Sequence, residues 1–250
     1  MKKKNRRLYK DLAWIFPIIS PPEDYIEETK FYYQWIKQVS KIPVKTLLHL
    51  GCGAGHNDFS LKKYFDITGI DLSSYMLKLA GKLNPEITYQ KGDMRDVRLG
   101  TQFDAVVCLD AVNYMVSEKE LHSVFITAWE HLNPGGVFLV LAENTRETFV
   151  QNKTCCTSHR KENTEITFVE NLYDPHPEDP TYESTMVYLI RENGTLTVET
   201  DHHFCGLFDL KTWERLFEET GFECIREELN LPDHPEEIYP VFIGIKPLTA

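Results

Sequence analysis

One segment limits the choice of fold more than any other. Thr46–Leu50 is a short apolar run that gives way at once to Gly51–Cys52–Gly53–Ala54–Gly55. Such a run, bounded by glycines, reads as a buried parallel strand. Glycines directly after it let the backbone turn tightly and leave amide groups near a ligand. Asp71 follows Gly51 by twenty residues and closes the next apolar run, ITGID. In a doubly wound sheet that carboxylate lands beside the first loop, within reach of both hydroxyls of a ribose.

The rest of the chain keeps the same rhythm as far as Glu143. Residues 23–40 repeat apolar side chains at helical spacing, with Pro21–Pro22 before and Pro43 after. A helix is predicted at 57–65. Ser73 is placed to cap another that carries Met76, Leu77, Ala80 and Leu83. Strands are predicted at 87–90, 103–109 and 137–142. A strongly periodic helix is predicted at 117–132 and ends on Asn133–Pro134–Gly135–Gly136. Five strands alternating with helices define an α/β chain with a doubly wound, mostly parallel sheet. Residues 144–205 switch to period two, with an Asn193–Gly194 hairpin signal. They read as an antiparallel β insertion. A helix at 209–220, capped by Asp209 and ended by Gly221, and strands near 222–229 and 239–246 bring the sheet to seven. Residues 1–143 and 206–250 therefore form the main unit, and 144–205 its cap.

Charge limits the partners. The 250 residues are 42% hydrophobic and carry a net charge of −11. Five of the 27 basic residues (Lys2, Lys3, Lys4, Arg6, Arg7) fall in the first seven positions, so the body is more acidic still. Such a body repels phosphate backbones and argues against nucleic acid. The basic start reads as a solvated, frayed terminus. The apolar stretch 12–19 is too short for a membrane span and lacks a signal-peptide cleavage site. The six cysteines have no metal-ligand or disulfide-framework spacing. They read as reduced thiols in a cytoplasmic protein, with Cys155–Cys156 a plain loop pair. No metal site is expected.

A dinucleotide fingerprint would need a third glycine at position 56, where this chain has His56. A bulky residue there hinders a pyrophosphate. S-adenosylmethionine has no phosphate and needs less room. Lys91–Gly92–Asp93–Met94 ends the third strand. Asp93 is placed to accept the exocyclic amine of an adenine, with Met94 and Met76 on either side of the ring. Gly51, Gly53, Gly55, Asp71, Asp93, Met94 and Met76 thus outline an adenosine site.

The segments LLHLGCGAG, GIDLS, GDMRDV, FDAVVCL and HLNPGGVFLV resemble the class I S-adenosylmethionine-dependent methyltransferases over residues 45–143 and 205–246. Cys52, Asn57, Leu72 and Leu109, in or beside these segments, are read as further cofactor contacts. LYKDL, EDYIEE, GDMRDVRLG, NYM and DHHFCGLF resemble, more narrowly, the N-methyltransferases of nucleotide-linked amino sugars. That resemblance implies that Tyr9 folds over the methyl donor, that Tyr25 lies near its carboxylate and that Tyr114 faces the acceptor amine. It also implies that His203 returns to the active site on a cap strand. Glu143, at the end of the fifth strand, is a candidate to hold an ammonium or hydroxyl. The plainer readings are a frayed Tyr9, a packing Tyr114, a His202–His203 strand pair with one ring exposed and a Glu143 that only caps the sheet edge.

The chain departs from the narrower group where arginines bind the sugar nucleotide's phosphates. Those places hold Thr197 and Tyr239, and the insertion at 151–185 is longer and more acidic. The expectation is a small-molecule methyltransferase that acts on a neutral or cationic amine, as a monomer or homodimer. The alternatives are an O-methyltransferase, a non-catalytic S-adenosylmethionine-binding regulatory module and a nicotinamide dehydrogenase. The chain also lacks the Asn/Asp-Pro-Pro-aromatic motif of base-amine methylating enzymes.

Overall fold

The computed structural model describes residues 6–231 and 234–248; Lys2, Lys3 and Lys4 of the basic start lie outside the described residues. A short helix α1 (Phe16–Ile19) and a longer α2 (Ile26–Val39) precede strand β1 (Thr46–Leu50). Then come α3 (His56–Leu61), β2 (Asp66–Asp71), α4 (Ser74–Leu83), β3 (Thr88–Lys91), β4 (Phe103–Cys108), α5 (Glu118–His131) and β5 (Leu132–Leu141). The cap comprises β6 (Lys153–Lys161), β7 (Thr164–Tyr173), β8 (Thr181–Glu192) and β9 (Thr195–Gly206). Helix α6 (Leu210–Thr220) and strands β10 (Glu223–Leu231) and β11 (His234–Ile245) complete the chain.

Seven strands form one sheet in the order β10-β11-β5-β4-β1-β2-β3. Strands β1 to β5 run parallel, and β11 is antiparallel to both neighbours. Both faces are covered, which is why the central strands read as unbroken apolar runs. On one face Leu121, Val124, Phe125 and Phe217 of α5 and α6 pack on Phe138 and Val140. On the other, Tyr32 and Ile36 of α2 and Leu61 of α3 pack on Leu47, Val107 and Leu139. Strand order reverses between β1 and β4, so a crevice opens at their carboxyl ends. This is the place where open α/β sheets bind ligands.

The caps follow the sequence reading. Ser73 accepts from the Met76 amide at the start of α4, and Asp209 accepts from that of Thr212 at the start of α6. Gly221, at φ +103°, ends α6. Two expectations are corrected. Strand β5 starts at Leu132 rather than Val137, because the register shift against β4 accommodates the Pro134–Gly135–Gly136 stretch as an irregularity within the strand. Cys155 and Cys156 lie on strand β6 rather than in a loop, on opposite faces of it. All six cysteines are free.

The cap is a four-stranded antiparallel sheet in the order β6-β7-β8-β9. Its Asn193–Gly194 turn has φ +50° and +84°, the left-handed pair that suits a two-residue hairpin. The N-terminal segment is not frayed from Arg6 onward. Leu8, Leu12 and Ile15 pack on Ile166, Met186, Tyr188 and Ile190 of the cap. Ala13 packs on Ala54 and Met76 of the main sheet unit. The segment thus bridges the two layers directly above the crevice. Among the described residues no helix is long and apolar enough to cross a membrane.

Candidate active site

The crevice is a cavity of about 710 Å³ above the glycine loop. Gly51, Gly53 and Gly55 all have positive φ. A Cβ on Gly51 would lie 2.2 Å from that of Ala111, whereas one on Gly53 would meet nothing within 4 Å. Gly53 therefore leaves open the space that a ligand would use. Gly55 stays out of the wall: it precedes α3 and packs against Tyr89 and Asn84. Asp71 is oriented by two backbone amides, from Gly53 at 2.9 Å and from Ser73 at 2.7 Å. Burial raises its pKa, and the two amides oppose that rise. The loop rests on a buried network in which His49 Nδ1 lies 2.7 Å from Asp58, and Tyr89 donates to the other Asp58 oxygen at 2.9 Å. His49 also lines the cavity.

Cys52, Asn57, Leu72, Met94, Leu109 and Tyr25 all line the cavity. The Asn57 Oδ1 is buried without a partner, and the Tyr25 hydroxyl lies 2.5 Å from Ser20 Oγ. Asp93 lines it too, but its carboxylate is gripped by Arg95, with Nη2 at 2.6 Å and Nε at 3.0 Å. That grip holds the Asp93 pKa below the usual range. Met76 is a correction. The Ser73 cap turns it inward against Ala13 and Ala54, so it forms no part of the wall. His56 opens α3, lies 5.0 Å from the Phe16 ring and is held neutral by burial, its pKa brought down to about 4. It fills the place a pyrophosphate would need, which argues against the dehydrogenase alternative.

The far end of the cavity is built from side chains. Tyr9 and Tyr114 both line it, their hydroxyls 2.7 Å apart. The Tyr114 hydroxyl lies 2.9 Å from His203 Nδ1, and His203 Nε2 lies 2.8 Å from Asp201. His203 and Asp201 are buried, and His202 points to solvent. The strand-pair reading of the two histidines is therefore correct, but the buried ring faces the site. The Arg6 guanidinium sits 3.8 Å above the Tyr114 ring. Two hooks fasten the N-terminal segment: the Leu8 amide donates to Asp201 at 2.8 Å, and Ser73 Oγ donates to the Tyr9 carbonyl. Glu143 accepts from Asn113 at 2.9 Å. It remains solvent-accessible in a cleft crowded with protein, and its pKa is pushed up to about 8 by desolvation, then by Asp110 and Glu170. Desolvation, then Asp110 and Glu143, raises Glu28 in the same way, and desolvation raises Asp110.

Sequence reasoning missed His49, Arg6, Asp110 and Asp201. For Asp201 a signal existed, because two residues' separation on a strand puts it on the same face as His203.

Residues 47–136 match a methyltransferase domain family. Sheet order and glycine loop give the chain the Rossmann-like fold of class I methyltransferases, with an antiparallel cap, and the matched domain spans the strands and loop that build the crevice. Among its relatives is a dTDP-3-amino-3,4,6-trideoxy-alpha-D-glucopyranose N,N-dimethyltransferase of Streptomyces venezuelae. It is 38% identical over 130 residues, 51% of this chain and 54% of that protein. A putative methyltransferase of Bacillus subtilis is 36% identical over 116 residues, 43% and 47% of the two chains. The chain thus matches about half the length of these two. A dTDP-4-amino-2,3,4,6-tetradeoxy-D-glucose N,N-dimethyltransferase of Saccharopolyspora spinosa is 28% identical over 81% of this chain and 79% of its own. The solved structure of Streptomyces venezuelae DesVI superposes with a TM-score of 0.80 at 27% identity, over 94% of this chain and 95% of that one.

The wall fits S-adenosylmethionine. The half-buried Asp71 carboxylate lines the cavity where a ribose would bind, apolar Leu72 and Met94 suit an adenine, and the Gly53 cradle has no side chain to obstruct it.

Proposed function

We propose that the chain methylates the nitrogen of a small-molecule amine with S-adenosylmethionine as donor. One observation carries the reading: paired tyrosine hydroxyls line the same cavity as the glycine loop and Asp71. Gly51, Gly53, Asp71, Met94, Leu72 and Tyr25 would hold the donor, which supplies an electrophilic methyl group on a sulfonium. The chain's own work is positioning, the main source of rate in such a displacement. Tyr9 covers the cavity and excludes water. Tyr9 and Tyr114 set the direction from which a nitrogen lone pair approaches. Dimethylation of amino sugars, named for two of the relatives, supports an amine acceptor.

The acceptor is neutral or cationic. Asp110 lines the crevice and raises the pKa of both Glu28 and Glu143, and Glu170 adds to the rise at Glu143, so acids gather beside the cavity. At the places where the resembling enzymes carry phosphate-binding arginines, Tyr239 is bonded to Glu237 and Thr197 stands opposite Ile190 in the cap. We also infer a reducing, cytoplasmic setting from the six free thiols. The test is a competition between a dTDP-linked 3-amino-3,6-dideoxyglucose and the same amino sugar without nucleotide. Faster methylation of the free sugar is expected. Preference for the diphosphosugar would overturn the charge assignment, and transfer to hydroxyls alone would overturn the amine.

A further inference from the structure

Asp201 ends the side-chain network, and two backbone amides fix which of its atoms accept. The His202 amide donates to one of its oxygens at 2.9 Å, and the Leu8 amide donates to the other at 2.8 Å. An amide N–H can only donate. Burial works to raise the Asp201 pKa, but the bonds from His203 and Leu8 outweigh it and hold the carboxyl below its usual range. A carboxylate that is ionised accepts and does not donate, so His203 Nε2 must carry the hydrogen in their 2.8 Å contact. In the neutral ring Nδ1 then has a lone pair and no hydrogen. Tyr114, 2.9 Å away, must donate to it. The Tyr114 oxygen is left to accept from Tyr9 at 2.7 Å. Each step fixes the next.

We infer that Asp201 polarises the whole chain Tyr9–Tyr114–His203–Asp201, so that it presents a Tyr9 lone pair to the acceptor and drains one proton inward per methyl transfer. This rests on the amine reading of the site. The nitrogen lone pair forms the new N–C bond, and the electrons of the broken C–S bond stay on sulfur. The proton that the nitrogen then loses passes to the Tyr9 oxygen. The Tyr9 proton moves to Tyr114, and the Tyr114 proton to His203 Nδ1. The result is an imidazolium beside the Asp201 carboxylate, so the buried pair passes from a net charge of −1 to neutral. Arg6, 3.8 Å above the Tyr114 ring, eases the passage of negative character through that phenol. When the product leaves, the same bonds return the proton outward, because the buried His203 reaches the cavity through the Tyr114 hydroxyl. His203, Tyr114 and Asp201 are positioning residues, and Tyr9 is the contact.

The polarity carries a rule for the acceptor. A primary or secondary amine has a hydrogen to offer the Tyr9 oxygen. A tertiary amine has none, so methylation halts there and no quaternary ammonium forms.

The decisive measurement needs no turnover. The full-length protein, labelled with 15N-histidine and bound to S-adenosylhomocysteine, is examined by long-range proton–nitrogen correlation. His203 is expected as the Nε2–H tautomer; the Nδ1–H tautomer would overturn the proposal. Kinetics with 3-amino-3-deoxyglucose, free and dTDP-linked, supplies a second arm. Tyr114→Phe and Asp201→Asn are each expected to lower kcat by about 100-fold, with acceptor KM within about twofold. The double variant is expected to be no slower than Tyr114→Phe, since a chain cut once is already cut. Wild-type kcat in both single variants, or effects that multiply, would overturn it. Tyr114→Phe keeps the readout available if Asp201→Asn does not fold. Failure of the wild type to methylate either amine, with the Nε2–H tautomer present, would count against the amine function and not against the polarity.

Discussion

The two ends of the cavity are built differently. The donor end is mostly backbone: three glycines in five residues, and one carboxylate oriented by the amides of Gly53 and Ser73. The acceptor end is side chain throughout, and its members come from the N-terminal segment, the turn after β4 and strand β9. Backbone held by a sheet is placed by the fold itself. Side chains that meet across 105 and 89 residues of sequence are placed only when the cap and the main sheet are both formed. Substitutions at the donor end therefore act on binding, and those at the acceptor end act on rate.

The largest effect should come from Asp71→Ala. It leaves the Gly53 and Ser73 amides without their acceptor and removes the ribose partner, so affinity for S-adenosylmethionine should fall by about 100-fold in calorimetry. Unchanged affinity would mean that the donor end is not built on this carboxylate. Next is a pair of glycines. Gly51→Ala drives a Cβ into Ala111 at a φ of +75°, and should cost about 2 kcal/mol or more in urea unfolding. Gly53→Ala meets no protein atom. It should cost about 1 kcal/mol of stability, from positive φ alone, while weakening donor binding. Equal stability losses would erase the distinction between a packing glycine and a cradle glycine.

A smaller effect belongs to the acid cluster. The Glu143 pKa rises from an ordinary 4.5 to about 8 in the folded protein. The folded state therefore holds that proton more tightly than the unfolded state. Its contribution to stability is complete below about pH 4.5 and is lost as pH rises to about 8. Glu28 and Asp110 shift in the same sense. The melting temperature should fall between pH 5 and 8, and Glu143→Gln should flatten that fall and melt higher than the wild type at pH 8. A profile unaltered by Glu143→Gln would remove Glu143 from the cluster. The smallest effect is expected from Cys155→Ser and Cys156→Ser, which sit exposed on the cap's edge strand. Donor affinity and melting temperature should both stay put, and a loss of affinity would tie the cap's outer edge to the donor end.

How much could be read from the sequence follows the same division. Thr46–Leu50, Gly51–Gly55 and Asp71 carry their meaning in local order, because a strand, a tight turn and a sheet spacing are short-range facts. Ser73, Asp209 and Gly221 declared their helix ends for the same reason. Met76 did not: helix periodicity allowed it on the wall, and only packing against Ala13 and Ala54 decided otherwise. Arg6 looked like part of a frayed basic start, since nothing local indicates that a ring 108 positions away will stack against it. Glu28 and Asp110 belong to a helix and a turn with no pattern in common, so their meeting is a product of the fold. Asp201 was the readable omission, given its spacing from His203.

The N-terminal segment has one more consequence. Its hooks, Leu8 to Asp201 and Ser73 to Tyr9, join positions 193 and 64 residues apart. Contacts that span so much chain form after local ones, because the long loop must close first. Tyr9 is thus made before the cap strand that holds it and is among the last residues to reach its place. The chamber stays open until the final cap strand is made, and a chain stalled before residue 201 would lack the carboxylate that holds the Leu8 amide.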